Sequence, residues 1–316
     1  MRETLKRVRN IKPVIWFLLF AVTVFSLING RYFTASNLDN LLQQSAALTV
    51  LAFGQTLIIL TQGTDLSMGA QVSFCTIAFV LLAMQGVPFW LCAILVTLCT
   101  ILIGAVNSLV ISILHVPVFI STFGMQYIMK SISLILCDGN SIYYSSDLFY
   151  RVSSGSFLGI PFVTWIAVAA FLITWVMLNR TRLGANIVAL GGNIEALKVS
   201  GINATIVRMK TWMFAGFLTG IAGLLVLCRV ESGQPAVGDG MEFNAIAAVL
   251  LGGTSMREGK GGVFGTIFGV WLIYALRNGL NLSGLSSLYH NAILGTVILL
   301  AIVVDALIGR AGKREG

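Results

Sequence analysis

The 316-residue chain is 57% hydrophobic and only 10% charged, with a formal net charge of +8. A soluble domain carries about 25% charged residues, so this composition, with a mean hydropathy of +0.91, excludes a water-soluble globule. The basic residues form no single patch, which argues against a nucleic-acid surface, and the long apolar runs do not alternate as membrane β-barrel strands do.

In chain order, the basic segment MRETLKRVRNIK (residues 1–12) precedes an apolar stretch that ends in NGRYF. No small-x-small cleavage site follows it, so the stretch reads as an uncleaved first span. Ten spans are expected, over 14–29, 41–61, 66–85, 88–113, 117–137, 161–179, 211–228, 242–252, 262–281 and 288–308. A rod that crosses the bilayer needs about 20 residues. The eighth run falls short, so it is expected to begin earlier or to be a broken or re-entrant helix buried in protein. The fold class is therefore an all-α integral membrane protein, one polytopic bundle of about ten transmembrane helices occupying 1–316. With an even count, fifteen basic residues fall on one side. Only Arg31, Arg151, Arg229 and Arg277 fall on the other, and Lys130 lies within a span. Lys and Arg concentrate on the cytoplasmic side, which places both termini, including the tail 309–316, in the cytoplasm.

Two connections are long. The external segment 138–159, DGNSIYYSSDLFYRVSSGSFLG, is polar and aromatic, and reads as a lid, a docking surface or a passive connector. The internal segment 179–210 contains two short helical pieces, Asn186–Leu190 and Ile194–Val199, separated by Gly191 and Gly192, with Gly201 as a C-terminal stop. AFGQTLIILTQGTDLSMGA and AIAAVLLGGTSMREGKGG both carry an apolar helix into a Gly-Thr turn on the cytoplasmic side, as duplicated transporter halves do.

Few residues break the apolar pattern. Asp65, beside Gly63, is expected to cap the following helix together with Ser67; the alternative is a proton carrier or a pathway contact. Lys130 is read two ways, as paired or snorkelling or as part of a permeation path. Asn107, Asn278, Asn281 and His290 are expected to bond between helices, with some lining a pathway for a hydroxyl-rich solute. The five cysteines, Cys75, Cys92, Cys99, Cys137 and Cys228, read as small apolar side chains with no metal-ligand spacing. The turn LLGGTSMREGKGGVFG superficially resembles a phosphate-binding loop. Five residues rather than four separate Gly253 from Gly259, however, and Gly261 stands where Ser or Thr is required. It reads as a tight turn, and no catalytic constellation is present.

Five stretches, QGTDLSMGA, HVPVFISTFGM, ALGGNIEALKVSGI, AIAAVLLGGTSMREGKGGVFGT and RNGLNLSGLSSLYH, occur in the order found in the ribose-type permeases of bacterial ABC sugar importers. The chain resembles that family over residues 13 to 308. The resemblance implies a multi-pass subunit of the bacterial inner membrane, in contact with lipid, that carries a sugar inward. It implies three partners: a cytoplasmic ATPase that binds ATP and Mg, an extracytoplasmic sugar-binding protein, and a second permease chain as homo- or heterodimer. No cofactor, metal or nucleic acid is expected on this chain itself.

By the same resemblance, Gly191, Gly192, Asn193, Glu195, Ala196, Ser200 and Gly201 belong to a segment coupled to the ATPase, with Ala196, Leu197 and Val199 in an ATPase groove. Asn107, Phe119, Lys130, Asn278, Asn281 and His290 are candidates for the pathway or gate. Gly63, Asp65, Ser67, Gly252, Gly253 and Thr254 belong to structural motifs. The chain departs from the family at Met256–Glu258, at Lys130–Ser131 where Arg-Gly is frequent, and at His290 where Gln is common. The competing expectations are a proton-coupled carrier working alone, and an ABC permease for a nucleoside, a branched-chain amino acid or a signalling furanone.

Overall fold

Local sequence signals set most helix starts. Pro88, Pro117 and Pro161 stand immediately before α4 (Phe89–Ile113), α5 (Val118–Leu136) and α7 (Phe162–Arg180). There the missing N–H costs nothing, because the first helical donors have no intrahelical acceptor. Side-chain caps open α2 (Ala35–Leu60) at Thr34 and α10 (Ala204–Val230) at Asn203. Both helices therefore begin six or seven residues ahead of their apolar windows, which is why the expected spans 41–61 and 211–228 are too short. The remaining helices are α1 (Pro13–Ile28), α3 (Met68–Met84), α6 (Asp147–Ser154), α8 (Arg182–Gly192), α9 (Ile194–Val199), α11 (Met241–Leu251) and α12 (Val263–Leu282).

These features belong to a computed structural model that describes residues 13–256, 259–286, 288–290, 292–296 and 299–300. Among them, α2, α4, α5, α7, α10 and α12 are long and apolar enough to cross a membrane, while α1, α3 and α11 are shorter apolar helices. The expected tenth span is helical where it is described. Its remainder, both terminal segments, and Arg257 and Glu258 lie outside the described residues.

Helix α2 is the centre of the bundle, and its residues from Ser45 to Leu60 are buried. α10 packs across both α2 and α4. The α10–α4 crossing is close because small residues line it. A Cβ on Gly104 would fall 2.3 Å from the Trp212 carbonyl oxygen, and one on Gly216 would fall 2.3 Å from that of Thr100. In lipid, helices associate through such close van der Waals contact. Phe53, Leu57, Ile58, Trp212, Leu218 and Val249 form part of the main core.

One element falls short of a span. At about 1.5 Å per residue, α2 is long enough to cross the bilayer, whereas α11, with 11 residues, covers only about half that depth. The chain reaches α11 from β4 (Ser232–Gly233), which pairs antiparallel with β1 (Ile142–Tyr143). It then runs back along α3. The Gln234 N–H donates to Thr76 Oγ1 at 3.1 Å and the Gly238 N–H to Ser73 Oγ at 3.0 Å. Hydroxyl side chains thus satisfy donors that lipid could not. The N-termini of α3 and α11 consequently meet inside the bundle, with Gly69 directly against the Glu242 carboxylate. A small hairpin, β2 (Ser156–Phe157) with β3 (Ile160–Pro161), follows α6.

Candidate functional site

The segment between α7 and α10 does form a helix–turn–helix, but its break differs from the expected one. Gly191 and Gly192 end α8 as helical residues, and Asn193, with extended backbone (φ −154°), makes the turn and caps α9 through a 3.0 Å bond from the Ala196 N–H. Asparagine side chains mimic the missing helical acceptor, so one residue suffices. Gly201 (φ +75°) stops α9 as expected, with the Ile202 N–H returning to the Leu197 carbonyl.

What the glycines provide is proximity. A Cβ on Gly191 would lie 1.8 Å from the Leu60 carbonyl oxygen and 3.0 Å from Gly259 Cα, while one on Gly259 would lie 2.8 Å from the Gly192 nitrogen. Gln62 Nε2 donates to the Gly191 carbonyl at 2.7 Å. The C-terminal end of α8 is therefore held between the α2–α3 turn and the α11–α12 turn, the two Gly-Thr turns that the sequence pairs. Both turns share this end of the bundle, as expected. In the first, the Gly63 N–H closes onto Ile58. In the second, Gly252 packs on Gly265, Gly253 takes φ +79°, and Thr254 Oγ1 accepts the Gly262 N–H at 3.2 Å. These glycines meet protein backbone, as a tight turn requires and a phosphate cradle does not.

Outward from this clamp, Asn193, Glu195, Ala196 and Ser200 are exposed, and Val199 is 89% exposed. Among the described residues Glu195 pairs with Lys198 alone, at 3.1 Å and in open solvent. Leu197 corrects the expectation that it reaches outward, since it is buried in the core of its own bundle and anchors α9. A cavity of about 370 Å³ lies between this segment and the bundle, with Gln62, Asn193, Arg208 and Trp212 on its walls.

A second polar centre surrounds the meeting point of α3 and α11. Asp65 is buried, and its Oδ1 accepts the Ser67 N–H at 2.8 Å and the Ser67 hydroxyl at 2.5 Å. Asp65 thus holds the residue that opens α3. Ser67 itself caps no helical N–H, because its backbone is already helical (φ −79°, ψ −11°) and capping needs an extended one. Its oxygen instead accepts Gln71 Nε2 at 2.8 Å and Asn107 Nδ2 at 3.2 Å, so Asn107 is an interhelical bonder. On the other side, Gln126 Nε2 donates to Glu242 Oε1 at 3.2 Å, and Lys130 Nζ reaches Asp239 Oδ2 at 2.6 Å. Several buried acceptors have no partner among the described residues: Gln71 Oε1, Asn107 Oδ1, Glu242 Oε2 and the Gln55 amide oxygen.

The other candidates separate. Phe119 is 60% exposed on α5 and stacks on Phe123. Asn278 forms a reciprocal amide pair with Asn37, at 2.8 and 2.9 Å, far along α2 from the polar centre. Asn281 is exposed in the last turn of α12. His290 is buried, with Nε2 3.1 Å from the Leu285 carbonyl oxygen. The last three thus lie apart from Lys130 and Asn107. The residues that sequence reasoning missed are Gln126, Asp239 and Glu242. A signal existed, since D-G-M-E sets two carboxylates three positions apart at the start of the one span too short to cross. Among the described residues, no group of His, Cys, Asp and Glu is arranged to hold a metal ion.

Against known proteins, the profile of the family described as branched-chain amino acid transport system / permease component matches residues 37–302. The chain is 38% identical over 294 residues to the ribose import permease protein of Escherichia coli K12, covering 91% of each chain. It is 32% identical to the D-allose transport system permease protein of the same strain, covering 93% of this chain and 91% of that one. To the galactose/methyl galactoside import permease protein of Salmonella typhimurium LT2 it is 32% identical, covering 93% of both. No solved structure matches.

Proposed function

Because the chain belongs to the permease-component family of branched-chain amino acid transport systems, we propose that it is the membrane-spanning subunit of an ABC importer and carries a sugar across the bacterial inner membrane. The observation that carries the mechanism is the α8–α9 pair, exposed on its outer face and clamped at its base to both Gly-Thr turns of the bundle. A partner ATPase that binds ATP and Mg docks on Asn193–Ser200. Movement of α8 then reaches Leu60 and Gly259 together, and through them α2–α3 and α11–α12. The bias of Lys and Arg along the sequence supports a cytoplasmic position for this end of the bundle. At the opposite end, α6, the β1–β4 pair and the β2–β3 hairpin face an extracytoplasmic sugar-binding protein. A carrier driven by protons alone gives the clamped α8–α9 pair no task.

A second permease chain belongs against α5. Lys130, well inside the length of that helix, and its partner Asp239, just ahead of α11, retain 41% and 43% side-chain exposure. Charges facing hydrocarbon are costly, so this face of α5 meets water or protein and lines the path between two chains. The sugar assignment rests on the similarity to the ribose, D-allose and galactose permeases. Proteoliposomes holding the chain with its co-purified ATPase and binding protein test it. ATP-dependent uptake of D-ribose, D-allose or D-galactose is expected. Uptake of L-leucine and of no sugar, or uptake driven by a pH gradient without ATP, overturns the proposal.

A further inference from the structure

The exposed face of α5 carries more than a salt bridge. Phe119, Phe123, Gln126, Tyr127 and Lys130 recur at intervals of three and four, which at 3.6 residues per turn confines them to one stripe about 100° wide. Phe119 and Phe123 stack with ring centroids 5.5 Å apart and planes 11° apart, and Tyr127 meets Phe123 edge-on at 4.9 Å. Tyr127 stays 60% exposed. Directly beyond it the stripe becomes polar, where Lys130 pairs with Asp239 at 2.6 Å and Gln126 bonds Glu242. Glu242 is buried, with its Oε1 accepting Gln126 and its carboxylate packed against Gly69, so it fixes the Gln126 amide at the inner edge of the stripe.

We infer that this stripe is a weak carbohydrate subsite: the C–H face of a monosaccharide lies on Tyr127 and Phe123 while neighbouring hydroxyls bond Gln126 and the Lys130–Asp239 pair. The chemistry fits one ligand class. A pyranose or furanose has an apolar C–H face and a rim of hydroxyls that both donate and accept. An aromatic ring beside a carboxylate, an amide and an ammonium matches that division. An aliphatic amino acid would use the ring but leave the polar cluster unmatched, which costs free energy when desolvated. The position also suits transport, because Asp239 and Glu242 stand at the start of α11, one of the two elements tied to the α8–α9 clamp. The inference rests on the reading of the chain as a sugar permease and adds where along the path the sugar pauses.

Saturation-transfer difference NMR of the purified chain in nanodiscs tests this, with D-ribose, D-allose, D-galactose and L-leucine as probes. ATP-driven uptake by the full complex is measured in parallel. The expected result is saturation transfer to ring C–H protons of at least one sugar. Tyr127→Leu should weaken it by about tenfold, Tyr127→Phe should retain it, and Asp239→Asn should reduce it. ATP-driven sugar uptake by the wild type with no transfer, or with transfer unchanged in Tyr127→Leu, overturns the subsite and leaves the permease reading standing. Leucine uptake in the absence of any sugar uptake overturns the permease reading instead, and transfer to leucine alone overturns the subsite with it.

Discussion

Replacing Gly191 by alanine isolates the clamp at the base of α8–α9. The added Cβ would sit 1.8 Å from the Leu60 carbonyl oxygen, whereas even the weak carbon–oxygen contacts of packed proteins settle near 3.3 Å. The end of α8 must therefore retreat from α2 by about 1.5 Å. That movement takes the Gln62–Gly191 bond, 2.7 Å in the native protein, beyond hydrogen-bond reach and loosens the Gly259 contact. Overpacking of this kind costs about 1–3 kcal/mol. Gly86→Ala is the matched control, since a Cβ there meets nothing within 4 Å and only the left-handed backbone (φ +81°) objects, at about 1–2 kcal/mol. The assays are thermal unfolding in detergent and ATP-driven sugar uptake in proteoliposomes. Both variants lower the melting temperature, but only Gly191→Ala drops uptake to about a tenth or less. Wild-type uptake by Gly191→Ala would refute the idea that this contact transmits motion.

Glu195→Arg reverses a charge on the exposed face of α9, where the Lys198 ion pair contributes at most about 0.5 kcal/mol; melting should stay unchanged while ATPase co-purification and uptake fall together. A double-mutant cycle on Asn37 and Asn278 should return a coupling of about 1 kcal/mol in unfolding, with sugar selectivity unaltered because the pair lies off the path. Tyr32, in the connection before α2, donates its hydroxyl to the Ala275 carbonyl at 3.0 Å, and burial pushes its phenol up to about 12 from the ordinary 10.0. A raised folded pKa favours the neutral form. Its contribution is therefore complete below pH 10 and lost as pH rises through 12; alkaline unfolding curves of wild type and Tyr32→Phe should converge across that window.

Apolar run length made most of the bundle legible, because a membrane helix must satisfy its backbone internally and fill its span with apolar side chains. The short eighth run announced the half-length α11 for the same reason. What run length could not supply was the polar extension of a helix beyond the hydrocarbon, as at Ala35–Leu41 and Ala204–Lys210, where a cap decides the boundary. The α8–α9 segment is readable from its turn residues, yet its two glycines serve a close approach to Leu60 and Gly259 rather than the break, a three-dimensional contact with no local signature. Lys130 stood out as a lone charge, but its partner is 109 positions away. Gln126 and Glu242 draw meaning only from the folding of the 234–240 segment along α3.

In the proposed mechanism a nucleotide-hydrolysing partner sits on α9. A photo-crosslinking amino acid placed at Val199, which is 89% exposed, and activated in native membranes, gives the most direct reading when the adduct is identified by mass spectrometry. An adduct with a cytoplasmic subunit bearing nucleotide-binding motifs is expected. A chain that still imports sugar with no such adduct at Val199, or with that subunit captured only from the opposite face at Tyr150, would contradict the mechanism.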